Sequence, residues 1–119
     1  MSRGLDKAIQ YALQNPITSL PRMAAVLEIP NIPVLWIGYN KLTTHPLQKE
    51  FGRNASAIYL HAEIDAIVRA LEEVSVPFHD AHMYVARVWK NGTPALAKPC
   101  VGCERAIVHF GITHVEWTT

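Results

Sequence analysis

The chain has 119 residues, half of them hydrophobic and 18% charged, a globular composition whose length suits one compact domain, residues 1–119, around one core. Its 11 Lys and Arg stand against 10 Asp and Glu, a formal net charge of +1, too balanced for a protein whose affinity rests on the phosphates of a long duplex. No apolar run approaches the ~20 residues of a membrane helix, and Met1 to Asp6 holds no signal-peptide core, so neither a membrane span nor a cleaved leader is expected.

Leu5, Ala8, Ile9, Ala12 and Leu13 recur at the spacing of one helix face. Asn15-Pro16 ends that helix, because the residue before a proline is pushed out of the helical region. Ala24–Ile29 is short and apolar and predicts a strand. Pro30-Asn31 is a turn, and Val34–Tyr39 is a second strand, hairpin-paired with the first. Asn40 to Tyr59 is polar and reads as a long, partly ordered loop; loops of that length in a compact domain are usually functional. His61–Val74 predicts a helix, with Ile64, Ile67, Val68 and Leu71 as its apolar stripe and Arg69, Glu72 and Glu73 facing water. Pro77–Asp80 connects it to a strand at Met83–Trp89. After a turn at Lys90–Pro94, Pro99–Phe110 predicts a helix with proline in its first turn and Gly111 as its stop. Ile112–Trp117 is a final strand. The expected order is α-β-β-α-β-α-β, without repeats or linkers.

His61-Ala-Glu63 at the start of one predicted helix is followed by Pro99-Cys100-Val-Gly-Cys103 at the start of the next. The set offers one imidazole, two thiols and one carboxylate, and it uses both cysteines of the chain. Three such ligands leave one of zinc's four tetrahedral positions open, which is the catalytic pattern; a closed Cys₂His₂ set is the structural one. Cysteines three apart on a first helical turn lie on one face. Helix-start N–H groups and the helix dipole favour the thiolates a metal needs. A strand joins the two helices, so a β-α-β layout brings both helix starts to one edge of the sheet. Zinc lowers the pKa of bound water to roughly 7, which makes hydroxide the expected nucleophile. Glu63, following the helix away from the metal, is then placed to shuttle protons. Alone, a C-x-x-C is more often a structural zinc or redox feature, and an H-x-E is close to noise; together, in this order, they point to catalytic zinc. Thiols three apart suit a metal in a reducing compartment, hence a cytoplasmic protein, cellular or virus-encoded.

The order H-x-E…P-C-x-x-C is a signature of zinc-dependent nucleobase deaminases. From Gly38-Tyr-Asn40 to Trp117 the chain resembles the cytidine and deoxycytidylate deaminase superfamily. The resemblance implies a three-layer α/β/α fold with a mixed sheet of four to five strands. It implies Zn²⁺ on His61, Cys100 and Cys103, and Glu63 as the catalytic proton shuttle. It also places the base against Ala62, Pro99 and Cys100, with the N–H groups of Ala62 and Cys100 helping to hold it. His61-Ala-Glu-Ile-Asp-Ala-Ile67 is most similar to the deoxycytidylate branch, whose usual form has Asn where this chain has Asp65. Cys103-Glu-Arg-Ala-Ile-Val-His-Phe-Gly-Ile112 is similar to the same branch. The tRNA adenosine deaminase branch shares His-Ala-Glu-Ile and Pro-Cys-Val. The chain departs from the family in lacking the long metal-binding insert before the His, which puts nucleotide-triphosphate regulation in doubt. The usual fifth strand and C-terminal helix are also expected to be short or absent.

Asn40 matches the Gly-x-Asn position that contacts the substrate sugar in that family. Lys41, His45, Lys49 and Arg53, opposed only by Glu50, are candidate contacts for a 5′-phosphate, although for any one of them a solvated loop position is the commoner outcome. Tyr59 and Trp89 could stack on a pyrimidine, but such aromatics are more often core. His79 and His82 read as connector residues, and His109 and His114 as surface or interface positions. The expected reaction is hydrolytic deamination of a cytosine nucleotide, dCMP to dUMP and ammonia. One alternative is a base deaminase acting on a single strand or tRNA, which needs a positive channel and stacking platforms. Another is a catalytically silent binding module, which would have no need of Glu63. The expected partners are a small nucleotide and further copies of the chain, not a membrane or a long nucleic acid. The interface is expected on the apolar faces of Ile64–Leu71 and Ala106–Phe110 and on the loop after Asn40.

Overall fold

The structure, a computed structural model, describes residues 2–51 and 59–119. In chain order it holds α1 (Arg3–Gln14), β1 (Arg22–Glu28), β2 (Leu35–Tyr39), α2 (Pro46–Phe51), α3 (Ala62–Leu71), β3 (Ala81–Val88), β4 (Pro94–Ala95), α4 (Val101–His109) and β5 (Ile112–Trp117). The sheet runs β2-β1-β3 with antiparallel pairing, Val26 opposite Ile37 on one side and Tyr84 on the other. On its far edge β3 takes β5 in parallel, Met83 opposite Val115, and β4 antiparallel, Arg87 opposite Ala95. The result is a mixed five-stranded sheet.

Strand periodicity divides the sheet into two faces. Ala24 and Val26 of β1 and Ala86 and Val88 of β3 pack against Leu5, Ala8 and Ala12 of α1. Ala25, Leu27, Met83 and Val85 point the other way, into a larger core closed by α3 and α4 through residues such as Ile64, Ile67, Ala106 and Ile107. This is the three-layer α/β/α arrangement implied by the sequence resemblance. Ser2 caps α1 by accepting the Leu5 N–H at 3.1 Å, and Asn15 leaves the helix in extended geometry before Pro16. Gly111, at φ +85°, stops α4 in the left-handed region that glycine tolerates.

Gly38 fixes the seat of α3. A Cβ there would collide with the backbone of Ala62 and Ala66, so strand and helix meet backbone to backbone. The contact brings the first turn of α3 down onto the end of β2.

Several sequence expectations shift. The segment read as a loop from Asn40 contains α2, and Lys41 bridges Leu60, closing that segment at its base. β4, only two residues, falls where a turn and coil were expected. α3 ends at Leu71, before the expected Val74. The apolar faces assigned to an oligomer interface are spent inside the chain: Ile64, Ile67, Ala70 and Ala106 are fully buried in its own core. The exposed apolar residues of α4 are instead Val101 and Val108. Tyr59 and Trp89, read as core, are exposed at 41% and 51%. Among the described residues, no helix is long and apolar enough to cross a membrane.

Candidate active site

Two helix starts make the site. His61 is the N-cap of α3 and Cys100 the N-cap of α4, both in extended geometry, and Cys103 sits in the first turn of α4. Parallel pairing of β3 and β5 around α4 delivers the two helix starts to one end of the sheet. The His61 Nδ1 lies 3.3 Å from the Cys103 Sγ and 3.7 Å from the Cys100 Sγ. The three donor atoms all lie within 4.8 Å of one another. The Cys100 Sγ also accepts the Cys103 N–H at 3.5 Å, so the thiolate caps the helix it opens.

The thiols are electrostatically unequal. Contacts from Cys103 and then His61 hold the Cys100 thiol down at about 3. The Cys100 sulfur and burial push the Cys103 thiol up. A divalent cation bound here would supply the charge that favours the thiolate form of both sulfurs. The Cys100 sulfur also raises the His61 imidazole, against burial.

Glu63 is the second residue of α3 and is buried. Burial raises its carboxyl above the ordinary carboxylate range. Its Oε1 is buried with no hydrogen-bond partner among the described residues. An orphaned buried carboxylate oxygen calls for an explanation, and a proton-transfer role supplies one. His61, Glu63 and Cys100 open onto a cavity of about 320 Å³ whose other walls include Asn40, Tyr59, Arg87 and Lys98. A larger groove of about 980 Å³ next door shares Leu20 and Pro21 with it, yet has no metal donor and no carboxylate among its described lining residues. The chemistry belongs to the smaller cavity.

The expected substrate residues fare differently. Ala62 opens α3, so its N–H is one of the helix-start donors without an intrahelical acceptor. Pro99 is buried immediately before Cys100. Asn40 lines the cavity, but its amide is largely engaged. Its Oδ1 accepts from the Asn15 side chain at 2.8 Å and the Met23 N–H at 3.0 Å, and its Nδ2 donates to the Pro21 carbonyl at 2.7 Å. One amide N–H remains for a ligand. Of the candidate phosphate contacts, Lys41 is tied to Asp65 at 3.2 Å. His45 accepts the Leu47 N–H at 3.0 Å through Nδ1, which starts α2. Neither these two nor Lys49 lines the cavity, and Arg53 lies outside the described residues.

Three residues were not anticipated. Gln48, buried in α2, accepts the His61 N–H at 2.9 Å through Oε1 and so holds a metal donor's backbone. Asp65 joins the Tyr39 N–H, Lys41 and Arg69, pinning α3 to the end of β2. Arg87 enters the cavity from β3. An amide in the short Pro46–Phe51 stretch was the one sequence signal for Gln48. In the sequence Asp65 stands out only as a departure from the Asn of the deoxycytidylate branch.

A protein-family model described as "Cytidine and deoxycytidylate deaminase zinc-binding region" matches residues 2–119. Among solved structures, the chain is similar to dCMP deaminase from the cyanophage S-TIM5 in apo form. That match has 18% identity and a TM-score of 0.65, and it covers 98% of this chain and 84% of that one. The same cyanophage enzyme in complex with dCMP and dUMP matches at 18% identity and a TM-score of 0.65, over 95% of this chain and 76% of that one. At that identity the likeness shows the fold. No curated protein shows a significant match.

Proposed function

The chain belongs to the cytidine and deoxycytidylate deaminase zinc-binding family, whose His/Cys/Cys zinc site falls on His61, Cys100 and Cys103, and from that premise we propose that its reaction is hydrolytic deamination of a cytosine nucleotide, dCMP to dUMP and ammonia. The observation that carries the reading is the Glu63 Oε1, buried beside the three metal donors and without a hydrogen-bond partner among the described residues.

The donor set fits zinc: one imidazole nitrogen and two sulfurs leave the fourth tetrahedral position open. Bound there, zinc supplies Lewis acidity that makes water ionisable near neutral pH. Glu63 does the proton work. Its raised carboxyl holds a proton more readily than an exposed glutamate, which suits a group that takes a proton from water and returns it. Delivered to the ring nitrogen, that proton makes the C4 carbon more electrophilic. The water oxygen bonds to C4 in the same step; Glu63 then takes the proton of the new C4 hydroxyl and delivers it to the exocyclic amine, so that the C4–N bond breaks, ammonia leaves and the C4 carbonyl forms. The Ala62 N–H at the start of α3 supports the base, and the remaining Asn40 N–H supports the sugar. The exposed Tyr59 ring on the cavity wall offers a stacking face.

The cyanophage relative captured with dCMP and dUMP supports a nucleotide substrate. Residues 1–119 act, in this reading, as one catalytic domain, and the reduced thiols its site requires fit a cytoplasmic protein. The protein also works as a homo-oligomer, a reading supported by exposed Val101 and Val108, seven residues apart on one face of α4. Light scattering should return a multiple of 13.3 kDa. The deciding experiment assays the zinc-loaded protein on deoxycytidine, dCMP, dCTP, adenosine and single-stranded oligonucleotides. Ammonia release highest with dCMP supports the reading. Turnover confined to oligonucleotides, or none with any substrate, overturns it.

A further inference from the structure

The cavity beside the metal donors has a cationic wall that the reaction chemistry leaves unused. Arg87 lies near the end of β3, between Met23 of β1 and Ala95 of β4. Strand alternation turns its side chain to the face of Val85, the face covered by α3 and α4. Its Nε is buried and has no hydrogen-bond partner among the described residues. Its guanidinium carbon sits 5.1 Å from the centroid of the Trp89 ring, a cation–π contact. Among the described residues it makes no ion pair, whereas Lys41 and Arg69 both pair with Asp65. Lys98, exposed and two residues before Cys100, lines the same cavity. The one carboxylate among the described lining residues is Glu63, at the metal end.

Resting on the proposed deamination of a cytosine nucleotide, we infer that Arg87, assisted by Lys98, is the anion subsite of this cavity and reads the 5′-phosphate of a nucleoside monophosphate. Arginine has donors only, so the unpartnered Nε calls for an acceptor. A planar fork matches phosphate oxygens two at a time, which a base carbonyl does not offer. The fork is held by backbone rather than by loop. The Arg87 N–H donates to the Thr118 Oγ1 at 3.1 Å. Thr118 in turn holds Val85 at 3.1 Å and Ala97 at 2.9 Å, so Arg87 and the Ala97–Cys100 approach to the metal are fixed to one another. Specificity for the phosphate and placement of the metal donors therefore share one support.

The test compares kcat/KM for dCMP and deoxycytidine in wild type, Arg87→Met, Arg87→Lys and Lys98→Glu, with calorimetric binding of dUMP and deoxyuridine alongside. In wild type the monophosphate should be preferred. Arg87→Met should shrink that preference by roughly 10- to 100-fold, Arg87→Lys should restore part of it, and Lys98→Glu, at an exposed position, should shrink it by about 2- to 10-fold. A preference unchanged in Arg87→Met and Lys98→Glu overturns the inference while leaving the reaction standing. So does a loss that strikes nucleoside and nucleotide alike. If the wild type deaminates no free cytosine nucleotide yet binds dUMP over deoxyuridine in an Arg87-dependent way, the reaction reading falls and the anion subsite survives. Arg87 dependence seen only with single-stranded oligonucleotides overturns the monophosphate assignment. Should Arg87→Met fail to fold, Lys98→Glu and the binding ratio decide.

Discussion

The two walls of the cavity are built on different principles. The metal wall, His61, Glu63 and Cys100 with Cys103 buried behind it, comes from two helix starts, and each motif places its residues within four positions of one another. The opposite wall, Asn40, Tyr59, Arg87 and Lys98, is gathered from a strand end, a loop, an inner strand and the approach to α4. Local geometry fixes the first, because each pair consists of an N-cap and a residue of the helical turn that follows it. Long-range pairing fixes the second, since Arg87 faces the cavity only through its register with Met23 and Ala95. A wall of the first kind should fail outright when one member is lost. A wall of the second kind should lose selectivity by degrees.

The harshest test of that difference is Cys103→Ser. It should abolish stoichiometric zinc and leave no detectable deamination, because a buried hydroxyl is a poor replacement for a thiolate ligand. Elemental analysis and the ammonia assay check it, and a variant that retains one zinc per chain would break the picture. Next comes Glu63→Gln, which should keep zinc yet lower kcat by at least ~10²–10⁴-fold. The same variant carries a pH signature in the chelated protein. A carboxyl raised by burial favours folding below its ordinary value of 4.5, and that contribution disappears as pH rises through its folded value. The melting temperature gained by Glu63→Gln should therefore be larger at pH 8 than at pH 4; equal gains would remove the burial explanation.

Gln48→Leu sharpens the comparison, because Gln48 serves the metal wall without belonging to its motif. It leaves the His61 N–H unpartnered and should weaken zinc by ~10- to 100-fold in a chelator competition. An unchanged zinc affinity would mean that the bond positions nothing. The smallest expected change is Lys49→Ala. Lys49 lies away from the cavity, so dCMP turnover should stay within about twofold. A large drop would return phosphate recognition to the α2 segment.

The sequence made the metal wall legible because H-x-E and P-C-x-x-C carry their geometry with them. The helix at Arg3–Gln14, the hairpin and the β-α-β unit were legible for the same reason, since periodicity and the Asn15-Pro16 and Gly111 stops are local. α2 was missed because six residues hold too few turns to show a period, and β4 because two residues show none. Lys41 looked free in sequence, but Asp65, 24 positions on, takes its charge. Arg87 carries no local signal inside a strand, where nothing in the neighbouring residues distinguishes a cavity-facing arginine from an edge one.

Gly38 sets how this design tolerates drift. Where side chains separate a helix from a sheet, every change of core volume shifts the helix. Here β2 and α3 touch through their main chains at the turn that carries His61 and Glu63. That contact acts as a mechanical stop: trimming Ile64 or Ile67 alters how firmly the helix is pressed down, not how close it comes to the strand. Mutational wear in the core is thus steered into stability and away from catalytic alignment. A single methyl at position 38 would remove that insulation.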